Sequence, residues 1–281
     1  MTSCKDRAFL ARRIEIMAIE VFNRNECKFI VDRQVYEKLN IRLQEYMDKD
    51  AYSKNDDFYT ISNIYYDTKD DYLIRKSLSK PKYKEKLRLR AYGVPKIEDM
   101  VFLEIKKKFQ GVVNKRRTSI ILKEAYEFLS SKEKPELKSY MNKQVLKEIE
   151  YLLKLYSLEP KVYLAYDRRA MFSKNDKSLR ITFDNNIRTR RYDLRLEAGD
   201  YGQQLLDEDK FLMEVKVEKN IPLWLARLLS EYKIYKTSFS KYGKEYELTL
   251  KNNLKLKGEM NECLNQYSTQ YPVQQMEPQF L

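Results

Sequence analysis

The sequence has no histidine in 281 residues. Imidazole bases, Ser-His-Asp and Cys-His relays and histidine-ligated metal sites are therefore excluded. Its three cysteines, Cys4, Cys27 and Cys263, lie far apart and form no CxxC pair, so neither a disulfide framework nor a zinc cluster is expected. Any metal here has to be held by oxygen. Only six glycines and seven prolines are present, without periodic low-complexity stretches, which excludes collagen-like and largely disordered classes. No segment approaches the roughly 20 apolar residues of a membrane span. The short apolar run among Lys5, Arg7, Arg12 and Arg13 is too brief for a signal-peptide core. A cytoplasmic protein is expected, with residues 1–16 as an N-terminal extension ahead of Met17.

What the sequence has in excess is positive charge. Lysine and arginine total 55 against 42 acidic residues, a formal net charge of +13. An anionic partner follows, and only the placement of the charges can say which kind. The hydrophobic content of 43% is enough for a sizeable core.

Helical spacing predicts a helix after Asp32 to about residue 48, with Val35, Leu39, Leu43, Tyr46 and Met47 on one face. It predicts a second block over about 123–158, broken near Ser130 to Pro135, and a third opening at Asn220 and Ile221 with Pro222 in its first turn and Leu223, Leu225, Leu228, Leu229 and Tyr232 as its buried stripe. Short segments of alternating polarity predict antiparallel strands at 24–31, 60–66, 83–92, 100–108, 115–121, 161–169, 178–184, 188–196, 211–217 and 245–250. The expected class is α+β. Residues 17–252 read as one domain, and the polar stretch 253–281, Gln-rich at its end, reads as a loosely packed tail.

Residues two apart on a strand share a face. Lys84, Lys86, Arg88 and Arg90 therefore lie together, opposite Leu87, Leu89 and Ala91. The same division recurs in Arg24, Glu26 and Lys28, in Glu104, Lys106 and Lys108, in Arg180, Thr182 and Asp184, and in Glu214 and Lys216. One such strand is ordinarily the solvated face of a half-buried sheet. Five of them suggest a sheet closed into a barrel, apolar side outward under the helices and charged side inward. Such a lumen is costly without a multivalent anion. Glu26, Glu104 and Glu214 suit Mg²⁺ or Mn²⁺, ions that bridge phosphate oxygens. Surface carboxylates beside the bases argue against nucleic acid. Tyr65, Tyr66 and Tyr242 read as barrel packing, Cys27 as a small apolar residue, Asp67 as a turn or helix cap, and Trp224 as core.

Several segments, in this order, resemble the polyphosphate polymerase domain of the vacuolar transporter chaperone complex and its bacterial relatives, within the triphosphate tunnel metalloenzyme superfamily. They are Arg24-Asn25-Glu26-Cys27-Lys28-Phe29, Ile64-Tyr65-Tyr66-Asp67-Thr68, Lys86-Leu87-Arg88-Leu89-Arg90, Leu103-Glu104-Ile105-Lys106-Lys107-Lys108, Tyr166-Asp167-Arg168-Arg169-Ala170, Leu179-Arg180-Ile181-Thr182-Phe183-Asp184, Met213-Glu214-Val215-Lys216 and Phe239-Ser240-Lys241-Tyr242. The resemblance implies an eight-stranded antiparallel tunnel that transfers the γ-phosphate of ATP to a growing polyphosphate chain with Mn²⁺ or Mg²⁺.

Carried over by position, Lys28, Arg88, Arg90, Lys106, Arg168, Arg180 and Lys241 would hold phosphates, with Lys86, Lys108 and Lys216 beside them and Glu214 on the metal. Lys115 or Arg116 would lie near the nucleotide end. The superfamily's usual opening has two glutamates before its lysine. Here Arg24-Asn25-Glu26-Cys27-Lys28 departs from it, shifting the metal load onto Glu26, Glu104 and Glu214. The inositol-phosphate-sensing domain and membrane segments of eukaryotic relatives do not occur in this sequence, so export of the product is not implied. The competing expectations are a tripolyphosphatase or nucleoside triphosphatase of the same fold and a non-catalytic polyphosphate sensor.

Overall fold

A computed structural model describes residues 25–50, 58–110, 112–176 and 178–270, with the side chains of 256–270 excluded. The proposed extension 1–16, Arg24 and the last eleven residues of the tail lie outside the described residues. The chain divides into two compact units, residues 1–243 and 244–281.

The first unit is built on an antiparallel sheet. Its long strands are β1 (Asn25–Asp32), β3 (Tyr59–Thr68), β4 (Tyr83–Tyr92), β5 (Met100–Phe109), β6 (Val112–Ile121), β7 (Leu158–Ser173), β8 (Arg180–Arg190) and β10 (Lys210–Val217). They lie in the order β1-β10-β8-β7-β3-β4-β5-β6. Three short strands add to this sheet: β2 (Met47–Lys49) on β7, β9 (Gln203–Gln204) on β8 and β11 (Lys236–Thr237) on β1. The eight long strands match the expected number. Hydrogen bonding does not join β6 back to β1 or β11 among the described residues, so the sheet encloses its lumen by curvature. Charged side chains of β1 accordingly face those of β4 and β5: Lys28 lies in the field of Lys86, and Glu26 in that of Lys106.

The outer face of the sheet is apolar and divides into two clusters. Leu87, Leu89, Leu103 and Ile105 pack under helices α3 (Leu122–Ser131) and α4 (Lys143–Leu155). Phe29, Ile181, Met213 and Val215 pack under α1 (Arg33–Leu43) and α5 (Leu223–Glu231). Burying each such side chain is worth roughly 1.5–3 kcal/mol, which fixes strand register because a one-residue slip would turn every leucine into the lumen. The α4 helix starts where Asn142 accepts a hydrogen bond from the Val145 amide at 3.1 Å. Trp224 stacks on Tyr46 at 4.2 Å beside the second cluster, which Cys27 also joins.

Several expectations are corrected. The first helix ends at Leu43, not residue 48, and Met47–Lys49 form β2 instead. The expected strand at 188–196 is the end of β8, which stops at Arg190 before an irregular loop. Arg190 ties that loop down, its guanidinium donating to the carbonyls of Asp193, Tyr201 and Arg195. Helix α2 (Tyr72–Leu78) was not anticipated, being too short for periodicity to show. The strand expected at 245–250 lies inside helix α6 (Lys241–Gln270), and Leu223, expected in the buried stripe of α5, is the first residue of that helix and 67% exposed. Among the described residues, no helix is long and apolar enough to cross a membrane.

Candidate phosphate-binding lumen

Because the outer face is fixed by leucines and valines, the alternate residues have no choice but to face inward. The lumen so formed carries two groups of charges, one on each side. On β1 and β10 the register places Glu26 opposite Lys216 and Lys28 opposite Glu214, a checkerboard of alternating sign. Lys28 Nζ is 3.2 Å from Glu26 and 3.3 Å from Glu214, and it donates to the Phe239 carbonyl at 3.0 Å. Lys216 lies 3.9 Å from Glu26 and 4.0 Å from Glu214. Beside them, Arg168 grips the fully buried Asp184 through two hydrogen bonds of 2.6 and 2.7 Å. Lys241, at the start of α6, bridges Asp184 at 2.5 Å and Glu214 at 3.4 Å.

The other group surrounds Glu104, which is 1% exposed. Arg88 binds one carboxylate oxygen through Nε at 2.7 Å and Nη2 at 2.6 Å, while Lys115 approaches the other at 2.8 Å. Arg88 also donates to the Tyr65 hydroxyl at 3.1 Å. Arg90 donates to Asn63 Oδ1 at 2.9 Å and to the Tyr166 hydroxyl at 3.1 Å. Both guanidiniums are thus oriented before any ligand arrives.

The protonation states follow from these surroundings. Burial opposes ionisation of Glu104 and of Glu214, but Arg88, Arg90 and Lys115 around the first, and Lys241, Lys28, Lys216 and Arg168 around the second, hold both well below the usual carboxylate range. Burial pulls Lys86 down to about 8, helped by Lys106, Lys84 and Lys28. Burial also brings Lys216 to about 8 despite Glu214 and Glu26. Lys115 falls to about 7, through burial first and then the nearby Arg90 and Arg88, which outweigh Glu104. Burial raises the Tyr65 phenol, but Arg88, Lys86 and Arg90 outweigh it and bring it to about 8. Burial and like charge thus hold these lysines below the usual ammonium range, and added negative charge beside them would raise them again.

Lys28, Arg88, Arg90, Lys106, Arg168, Arg180, Lys86, Lys108, Lys115 and Lys216 all lie on the inward face of their strands or at its rim, and Lys241 joins them from the start of α6. Arg180 stands at one end, over the Phe172 ring at 4.9 Å and 3.6 Å from Asp50. Lys108 sits opposite Lys84 at another. Arg116 does not join them: it points outward and pairs with Glu148 on α4, as does Lys107. The strand alternation that puts Lys115 inside puts Arg116 outside.

Glu26, Glu104 and Glu214 do not converge. Among the described residues, no group of three or more acidic or cysteine side chains is arranged to hold a metal ion. Glu104 is already paired with Arg88, Arg90 and Lys115. The pair Glu26 and Glu214 does fit Mg²⁺ or Mn²⁺, since such ions commonly take one or two carboxylates and complete their shell with water and substrate phosphates.

The sequence reading left out Asp184, Asn63, Tyr65 and Tyr166 as site residues. Their signal was strand parity: Asp184 shares a face with Arg180, and Asn63 and Tyr65 share one with each other. Tyr65 and Tyr242 stack at 4.9 Å but belong to the lumen, with Arg88 over one ring and Lys86 over the other. Tyr66 is outer-face core. Asp67 caps α2, accepting from the Leu73 and Ile74 amides at 2.8 and 2.9 Å and from the Tyr242 hydroxyl at 3.0 Å.

The sequence profile described as the VTC domain matches residues 23–250. No curated protein matches the chain. Among solved structures, a protein from Bacillus halodurans described as a candidate adenylate cyclase is 16% identical, with a TM-score of 0.49 over 79% of this chain and 94% of its own. A candidate adenylyl cyclase from Hippeastrum, described as having a dominant triphosphatase activity, is 14% identical with a TM-score of 0.45, covering 77% and 92%. The Mimivirus capping enzyme triphosphatase is 8% identical with a TM-score of 0.32, covering 82% and 97%.

Proposed function

The chain belongs to the VTC domain family, and from that premise we propose that it transfers the γ-phosphoryl group of ATP to a growing inorganic polyphosphate chain inside the lumen. The observation that carries this reading is the excess of inward-facing cations over carboxylates, with Lys86, Lys115 and Lys216 short of negative charge. A chain of phosphates supplies what is missing.

Phosphoryl transfer asks a protein mainly for alignment and charge stabilisation, so a lumen without histidine or a reactive thiol is chemically sufficient. In the proposed step an oxygen of the terminal phosphate on the chain attacks the γ-phosphorus. The bond from that phosphorus to the β-phosphate oxygen breaks, ADP leaves, and the new anhydride lengthens the chain by one unit. Arg88 and Arg90, pre-oriented by Glu104, Tyr65, Asn63 and Tyr166, clamp phosphate oxygens as planar forks, while Lys28 and Lys241 act as point charges. Bound by Glu26 and Glu214, Mg²⁺ or Mn²⁺ would supply further neutralisation of the transferring group.

Hydrolysis is the second reading, with water as acceptor and tripolyphosphate or a nucleoside triphosphate as substrate. It is favoured by the solvent that reaches the lumen, where Lys28 and Lys216 side chains keep 24% and 28% of their surface exposed. Incubation of purified protein with ATP and Mn²⁺, followed by separation of ADP, free phosphate and polyphosphate on a gel, distinguishes the readings. Polyphosphate with matching ADP, abolished in Arg88→Ala, is the expected result. Free phosphate alone assigns hydrolysis, and tight tripolyphosphate binding without turnover assigns a sensor.

A further inference from the structure

The lumen is not uniform along its length. Two residues beyond Arg90 on the inward face of β4 comes Tyr92, and directly opposite Arg90 on β5 comes Phe102. Tyr59, at the start of β3, lies opposite Arg168. Tyr92 links the other two: Tyr59 and Tyr92 ring centroids are 6.1 Å apart, and Tyr92 and Phe102 meet edge to face at 5.9 Å. The Arg117 guanidinium lies over the Phe102 ring at 4.5 Å. None of the three belongs to either apolar cluster of the outer face, and Tyr92 is 42% exposed. At the opposite end of the same strands the inward residues are Lys84 and Lys108, facing each other across the ladder. Burial, together with Lys108, Lys106 and Lys80, lowers Lys84.

We propose that Tyr59, Tyr92 and Phe102 form a platform for the aromatic base of a nucleoside triphosphate at one mouth of the lumen, with its phosphates extending inward to Arg90 and Arg88. This deepens the function proposed above and rests on it. Base stacking on aromatic side chains tolerates any base, because every base has a flat face, and an arginine can stack on the same system. One strand step, about 6.7 Å at the usual rise per residue, separates Tyr92 from Arg90 and leaves room for a ribose. The platform gives the lumen a direction: the nucleotide enters over the aromatics, and the lengthening chain points toward the lysine mouth. It also gives the protein a means of telling a nucleoside triphosphate from inorganic tripolyphosphate, which the charged part of the lumen cannot do.

Calorimetric titration of ATP and of tripolyphosphate into the full chain, in metal-free buffer, tests the platform. Wild type, Tyr92→Ala, Phe102→Leu, Tyr92→Phe and Arg88→Ala are compared through the ratio of the two dissociation constants. Tyr92→Ala and Phe102→Leu should shift that ratio against ATP, by about tenfold for the alanine change, while Tyr92→Phe keeps it and Arg88→Ala weakens both ligands together. An unchanged ratio in both aromatic variants, with Arg88→Ala still weakening both ligands, overturns the platform and leaves the phosphate site standing. Failure of wild type to bind either ligand overturns both.

Discussion

Glu104 and Glu214 are both nearly buried carboxylates on the inward face, 1% and 6% exposed, and both are held strongly ionised. Their partners differ in kind. Glu104 is gripped by a guanidinium fork and a lysine and, among the described residues, shares its cations with no other carboxylate within ion-pair reach. Glu214 sits among lysines that it shares with Glu26 and Asp184, each pair at 2.5–4.0 Å. A fork fixes geometry, whereas a shared point charge can be exchanged for another cation. Under the proposed function the first carboxylate would position the phosphate clamp, and the second would be the one to meet a metal.

The comparison breaks most sharply by deleting each acid in turn. Glu104→Ala leaves Arg88 and Arg90 buried without their anion and should cost about 3–5 kcal/mol in chemical denaturation. Glu214→Ala should cost less, because Glu26 and Asp184 remain beside the same lysines, but it should remove the divalent-metal dependence of turnover. Equal losses of stability from both changes would show that the two surroundings are equivalent after all.

Neighbours on β6 give a smaller contrast. Lys115→Ala removes a lumen charge and should weaken tripolyphosphate binding about tenfold, in line with a charge-assisted contact to a phosphate. Arg116→Ala breaks only the half-exposed pair with Glu148, so its effect on stability should stay within about 1 kcal/mol and on binding should be nil. Reversal of that order in a binding titration contradicts the assigned strand faces.

These faces were readable from the sequence because parity is a local rule: Leu87, Leu89, Leu103 and Ile105 fix which alternate residues turn inward. Parity also settles the choice between Lys115 and Arg116, once Thr118 and Ile120 are followed along the strand. What local patterning could not supply was the partner of each charge. Asp184 meets Arg168 and Lys241 across three elements, and Glu104 meets Lys115 from the next strand, so neither acid's role is visible on its own strand. Element type failed where alternation was ambiguous. Residues 245–250 alternate well enough for a strand, yet Glu245 and Thr249 hydrogen-bond one helical turn apart within α6. Helix α2 was hidden because its start is set by Asp67, five residues before its first helical position, Tyr72.

The central claim is that the lumen is a phosphate-chain site short of negative charge. In the ligand-free protein Lys115 has a pKa of about 7 and Lys86 and Lys216 of about 8. At pH 8.5 these lysines are largely neutral, and a bound polyanion raises their proton affinity, so the lysines take up protons on binding and their contribution to it weakens as pH climbs from 7 to 9. Titration of tripolyphosphate at pH 8.5 in buffers of different ionisation enthalpy measures this directly. Greater proton uptake by wild type than by Lys115→Ala, a difference in which the ligand's own ionisation cancels, is the predicted result; equal proton exchange by the two at saturation would contradict the account.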